Sequence, residues 1–292
     1  MMAEFIISTD ATCDLPEDFI TASNLAVIPM RFTINNEEYI SKGERELSAK
    51  EFYQLVRQGA MPKTALISPE ECEQHFEKYL SQGVDVLHIA FSSALSGSCN
   101  SAKIAAEQMS EKYPNQKIIV IDSLCASLGE GLYVYYAVQY KNSGMSIEET
   151  AKKLESIKQN LCHYFTVDDL HHLHRGGRVS KTTAVLGSVL GIKPILHVDE
   201  EGRLIPIGKV RGRKQSLNQL VEKMKAKSSG LENSIFFVSH GDCEEDAKYV
   251  SELVKKECGI KKYMIHDIGP VIGAHSGPGT VALFFLGQSR TK

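Results

Sequence analysis

The stretch "VDVLHIAFSSALSGSCNSA", residues 84–102, decides how the rest of the chain is read. Residues 84–91 form a near-continuous apolar run, the pattern of a strand buried on both faces of a sheet. Small hydroxyl residues around Gly97 follow, and residues 95–113 then take up helical spacing. The flanking segments repeat the unit. Residues 68–83, "SPEECEQHFEKYLSQG", read as a helix with Ser68 as cap, Pro69 in the first turn and Gly83 as stop. Residues 116–123 read as a strand and 127–144 as another helix. Strands alternating with helices imply a mostly parallel sheet with helices on its faces, an α/β fold.

Further out, residues 4–9 ("EFIIST") and 25–34 ("LAVIPMRFTI") have the β-branched content of strands, and 48–59 read as a helix. Residues 146–161 form a strong helix with Ser146 and Glu149 in capping-box spacing. Beyond it come a glycine- and arginine-rich loop, a hairpin around Glu201-Gly202, and further helices and strands. This change of texture sets a domain boundary near residue 161, giving domains 1–160 and 161–292, the second also α/β.

The chain has 292 residues, 42% of them hydrophobic, and a net charge of −3. That excludes a disordered chain and argues against generic nucleic-acid binding, which uses a basic face. The first residues lead straight into a strand without the features of a signal peptide, and no apolar run is long enough to span a bilayer. A cytoplasmic protein is expected. Seven cysteines, with no CxxC pair, read as structural thiols. The "DLHHLH" cluster lacks the i, i+4 histidine pair and companion Glu of a helical zinc motif, so no metal is expected.

The loop after residue 91 ends a buried strand and opens a helix near Gly97. Backbone N–H groups at a helix start bind anions, and ligands of open parallel sheets gather beyond the strands' carboxyl ends. Ser96 can therefore clamp an anion, act as a nucleophile, or simply cap the helix. Thr64 is read as lying in the loop just before a capped helix, from which its hydroxyl can point at the same space. His275 lies in "DIGPVIGAHSGPGTVALFF", where several glycines imply unusual backbone or a close approach. Arg175, Arg178 and Lys181 sit on one glycine-rich turn, and Lys209, Arg211, Arg213 and Lys214 form a second basic group. Local basicity in an acidic protein suggests a phosphate-bearing ligand or an acidic protein surface, or only a solvated face.

Together, "SSALSGSCNSA", "DDLHHLHRGGRVS", "GIKPIL" with the following "EGRL", and "GAHSGPGTVALFFLG" resemble the motifs of the DegV family of bacterial fatty-acid-binding proteins. "STDATCDLP" and "IPMRFTINNEEY" match too, and the motifs run in order from about residue 4 to 288. The resemblance implies two α/β domains with a long-chain fatty acid buried between helices and sheets. It implies a carrier, not an enzyme, without a cofactor, that presents the acid to a separate ATP-dependent kinase subunit, which makes an acyl phosphate for phospholipid metabolism. By motif position, Thr64 and Ser96 would hydrogen-bond the carboxylate, Gly97 would offer a backbone N–H, and His275 would approach from the second domain. Arg175 and Arg178, with Lys209 and Arg211 behind them, would meet the kinase.

Where the family often has a Thr-Ser-Gln-Pro-Ser-Pro-like stretch, this chain has Thr64-Ala65-Leu66-Ile67-Ser68-Pro69, and Ala11 stands where a serine is usual. The changes bear on acyl-chain preference. Two rival functions follow from the residues themselves. A serine hydrolase would use Ser96 as nucleophile and His275 as base, with Asp10 or Asp122 as the third member, but no G-x-S-x-G elbow is present. A phosphate-ligand enzyme would use the glycine-rich loops, but neither a Walker pattern nor G-x-G-x-x-G after a strand occurs.

Overall fold

The computed structural model describes residues 5–43, 45–180, 191–227 and 235–290. Lys181 lies outside them. The opening motif folds as its pattern predicts. Strand β6 (Asp85–Ala90) is buried along its whole length and pairs in parallel with β1 (Phe5–Asp10) and β7 (Ile118–Asp122). Helix α4 (Ser98–Lys112) begins one residue after Gly97. With β2 (Ala26–Ile28) the strands form a four-stranded parallel sheet, β2-β1-β6-β7.

The run "LAVIPMRFTI" is not one strand. Pro29 lacks the N–H that a continuing ladder needs, so β2 ends at Ile28. The chain then starts β3 (Met30–Ile34) in a separate three-stranded antiparallel sheet with β4 (Glu37–Ser41) and β5 (Lys63–Thr64). Helices α1 (Glu17–Ala22), α2 (Ala49–Arg57), α3 (Pro69–Leu80), α5 (Leu128–Asn142) and α6 (Ile147–Ile157) complete this part of the chain. Reciprocal capping boxes, Ser48/Glu51, Ser68/Glu71 and Ser146/Glu149, start α2, α3 and α6 by satisfying otherwise orphaned N–H groups.

From Leu161 onward the strands belong to a mixed six-stranded sheet in the order β10-β9-β8-β13-β11-β12. These are β8 (Leu161–Thr166), β9 (Ile192–Val198), β10 (Leu204–Arg211), β11 (Ile235–His240), β12 (Lys262–Asp267) and β13 (Val281–Leu286). The hairpin expected at Glu201-Gly202 joins β9 to β10, with Gly202 at φ +81°. Helices α7 (Leu170–Arg175), α8 (Arg213–Lys225), α9 (Glu244–Cys258) and α10 (Pro270–Ser276) complete it. We propose the 160/161 division as the domain boundary, with α5 as a layer shared by both sides. That helix touches β1 and β6 on one side and β8, β11 and β13 on the other, and one apolar core runs from Phe5 and Ile7 through Leu132 to Phe237 and Phe284.

The C-terminal end is fastened by Arg290, 1% exposed. Its guanidinium donates to the carbonyls of Leu161 (3.0 Å), Leu124 (2.8 Å), Lys158 (3.0 Å) and Asp199 (3.3 Å). Among the described residues no helix is long and apolar enough to cross a membrane, and no group of three or more His, Cys, Asp or Glu side chains is arranged to hold a metal.

Candidate functional site

A cavity of about 240 Å³ opens where the three sheets and α10 meet. Most of its wall is apolar: Phe91 and Leu95 from the loop after β6, Phe165 and Phe284 from the six-stranded sheet, Val271 and Ile272 from α10. The polar lining includes Thr64, Ser96, Arg178 and His275.

Each of these side chains is held by its own local structure. Thr64 is in a strand rather than a loop: β5 pairs with β3, Thr64 opposite Phe32. Its Oγ1 lies 2.8 Å from His275 Nε2, a hydrogen bond joining residues 211 positions apart. His275 rides on α10, which Pro270 starts and Gly277, at φ +76°, ends. Burial, and then the Arg178 cation, push the imidazole down to about 4, so the ring is neutral at physiological pH. Its Nδ1 is buried without a hydrogen-bond partner among the described residues.

The Ser96 loop is pinned from both sides. Asp10 at the end of β1 accepts from Phe91 N–H (2.8 Å), and Asp122 at the end of β7 accepts from Ser93 N–H (3.2 Å) and Leu124 N–H (3.0 Å). Ser96 Oγ lies 3.0 Å from Ser98 Oγ and accepts from Ser98 N–H (3.3 Å). Ser98 Oγ in turn accepts from Ile67 N–H (3.1 Å), drawing the Thr64–Ser68 segment onto this loop. Ser96 thus accepts from the first N–H of α4, one residue ahead of the N-cap Gly97, and is also part of the cavity wall. Gly97, exposed beside it, lines the cavity too, and a Cβ there would stand 3.3 Å from Leu66 Cδ2.

These partners bear on the hydrolase reading. Ser96 bonds to Ser98 while His275 bonds to Thr64, and Asp10 and Asp122 are occupied with backbone N–H groups. Among the described residues Ser96 and His275 are not hydrogen-bonded to each other, and neither is bonded to Asp10 or Asp122, so the proposed relay is unconnected.

The basic residues separate into two places. Arg178, expected on an outer turn, lines the cavity and is half-buried, its Nε donating to Leu95 O at 3.0 Å. The turn folds inward because its two glycines serve different needs. Gly177 takes φ +74°, whereas Gly176 passes so close to His275 that a Cβ would fall 2.1 Å from Nδ1. Arg175 is exposed and bonds His172, and Lys209 and Arg211 are exposed on the edge strand β10. Arg213 instead pairs with Asp246 and Asp168. The sequence reading also passed over His163, buried in the cavity wall on β8, and Ser127 at the start of α5. Ser127 sits at φ +54° and donates to Asp14 (2.5 Å), which also accepts from Gly269 N–H (3.0 Å) ahead of α10. A left-handed serine at a helix start was not readable from residue type.

A family model described as "Uncharacterised protein, DegV family" matches residues 4–288. The chain belongs to the DegV family. A DegV domain-containing protein of Clostridium perfringens is 43% identical over 289 residues, covering 99% of both chains. Among solved structures, DegV of Bacillus subtilis, described as a fatty acid binding protein, is 32% identical with a TM-score of 0.84, over 99% of this chain and 100% of that one. A DegV family protein of Thermus thermophilus, described for its fatty acid binding, is 28% identical with a TM-score of 0.88, over 97% and 99%. The α/β architecture of parallel sheet and second mixed sheet is that of these DegV structures.

Proposed function

We propose that this DegV protein binds a long-chain fatty acid in the cavity, with the carboxylate at the Thr64, Ser96, Gly97 and His275 end. One observation carries the reading: the Thr64–His275 pair lies beside Ser96 and Arg178 in the wall of an otherwise mostly apolar cavity. An acyl chain gains about 0.8 kcal/mol for each CH₂ buried, so the apolar wall supplies most of the affinity. A buried carboxylate needs several donors, because an uncompensated charge there is very costly. Two hydroxyls and a neutral imidazole supply donors, and the Arg178 cation supplies the counter-charge that His275 does not. The solved DegV relatives described as fatty acid binding support the same ligand class.

In this reading the protein turns nothing over by itself and hands the acid to a separate ATP-dependent kinase for conversion to an acyl phosphate. Arg175, Lys209 and Arg211 would contact that partner, and Arg178 is assigned here to the head group. The test is to denature purified protein, extract it with organic solvent and identify released lipid by mass spectrometry, with calorimetry on stripped protein. About one long-chain fatty acid per chain is expected. No fatty acid in the extract and no binding heat would refute the reading.

A further inference from the structure

His163 is among the cavity-lining side chains left unused by that reading. It is 2% exposed, lines the cavity, and has neither ring nitrogen hydrogen-bonded among the described residues. It stands in an apolar setting, opposite Phe284 across the β8–β13 ladder with ring centroids 5.4 Å apart, and between Leu161 and Phe165 on its own strand face. Gly129 of α5 covers the Nε2–Cδ2 edge so closely that a Cβ would meet Nε2 at 2.7 Å. Nδ1 lies on the opposite edge of the ring. The nearest wall hydroxyl in sequence on α5, Ser127, is committed to Asp14 and Ser239. Burial holds the imidazole neutral, so it carries one N–H donor and one lone-pair acceptor.

A buried polar group with no partner is destabilising, and a phenylalanine or leucine would fill the same wall without that penalty. The missing partner is therefore sought in what occupies the cavity. Thr166, three residues along β8, pairs with Val281, next to the cavity residue Thr280, whose Oγ1 donates to the carbonyl of Ser276, the residue after His275. Three strand residues span about 10 Å, which sets His163 well along the wall from Thr280.

We propose that His163 forms a second polar subsite, away from the carboxylate end, that hydrogen-bonds an oxygen function carried by the acyl chain, so that the protein favours chains bearing a hydroxyl or oxo group in mid-chain. The inference rests on the fatty-acid reading above and adds the class of acid. His163 is a specificity-determining residue here, distinct from the head-group set.

The experiment compares stearic acid with a positional series of monohydroxystearic acids, hydroxyl from carbon 8 to carbon 14 by choice of probe, displacing a fluorescent fatty acid from lipid-stripped protein. The wild type, His163→Phe and His163→Gln are used. Phe keeps the aromatic packing on Phe284 and removes the donor and acceptor, whereas Gln keeps both. At least one hydroxy isomer should bind the wild type as tightly as stearic acid or more so. The ratio of its affinity to that of stearic acid should fall about tenfold in His163→Phe and largely survive in His163→Gln. A ratio unchanged by His163→Phe, or a wild type that binds every hydroxy isomer at least tenfold more weakly than stearic acid, overturns the subsite and leaves the fatty-acid reading standing. Failure of stearic acid and of every hydroxy acid to displace the probe from wild type sinks both.

Discussion

Replacing Thr64 with valine tests the head-group geometry most directly. The substitution keeps the branched shape and the β5 backbone pairing and deletes one hydroxyl. That hydroxyl has the 2.8 Å bond to His275 Nε2. His275 Nδ1 is already buried without a hydrogen-bond partner among the described residues, so Thr64→Val leaves the imidazole with no hydrogen bond to them in the empty cavity. With a carboxylate bound, the loss is a hydrogen bond to a charged group, about 1.5–3 kcal/mol. At 1.4 kcal/mol per factor of ten, fatty-acid affinity should fall roughly 10- to 150-fold. The assay is calorimetric titration of lipid-stripped protein with palmitic acid below its critical micelle concentration, alongside thermal unfolding of the empty protein. An affinity within twofold of wild type, in a variant that unfolds at the same temperature, would refute the assignment of Thr64 to the carboxylate.

Ser96→Ala should weaken binding by less than Thr64→Val, because Ser96 Oγ is shared with Ser98, and Ser96 should form no adduct with a fluorophosphonate; stoichiometric labelling read by mass spectrometry would restore the hydrolase. Gly176→Ala and Gly177→Ala should part company. The first drives a methyl into His275 Nδ1 and should cost at least about tenfold in affinity, the loss expected when a charged-group hydrogen bond is broken. The second strains a φ of +74° and should cost about 1–2 kcal/mol of stability with affinity retained, as titration and chemical denaturation can check. Asp14→Asn addresses pH. Burial raises Asp14 from 3.8 to about 7, so the folded state keeps its proton between those values while the unfolded chain releases it. Asp14 therefore removes stability as pH rises through that window, and none further above it. Relative to wild type, Asp14→Asn should gain stability from pH 4 to 7, by at most about 4 kcal/mol, and plateau beyond. A difference flat across that range in denaturant melts would refute it.

The parts legible in sequence were those with a repeating period or a fixed chemical marker. The apolar run of β6, the caps at Ser68 and Ser146 and the turn at Gly202 each declare themselves within a dozen residues. The separate three-stranded sheet did not, because the split at Pro29 changes the strand's partner and not its β-branched character. Ser96 and His275 could be singled out by their glycine-rich settings, yet their partners could not, since Thr64 and His275 meet only when two distant segments pack. Arg178 misled because an arginine beside two glycines resembles an exposed turn. What folds it inward is the fit of Gly176 on His275, a contact between residues 99 positions apart in sequence.

The strand order of the six-stranded sheet has a bearing on synthesis. β13, the last of the described strands to be made, lies in the middle of the sheet between β8 and β11. A ribosome adding ~5–20 residues each second exposes β8 for roughly 6–25 s before Leu286 has been made to close the ladder beside it. Through that interval β8 presents an open, apolar edge, and β11 does so for roughly the last 2–10 s of it, the kind of edge that pairs with neighbouring chains. Nascent chains stalled or truncated before Val281 should therefore be the species that holdase chaperones retain, whereas the parallel sheet, complete by Asp122, can assemble early. Arg290, which follows β13, then fastens four carbonyls made 91 to 166 residues earlier, so this lock closes only after the central strand is in place.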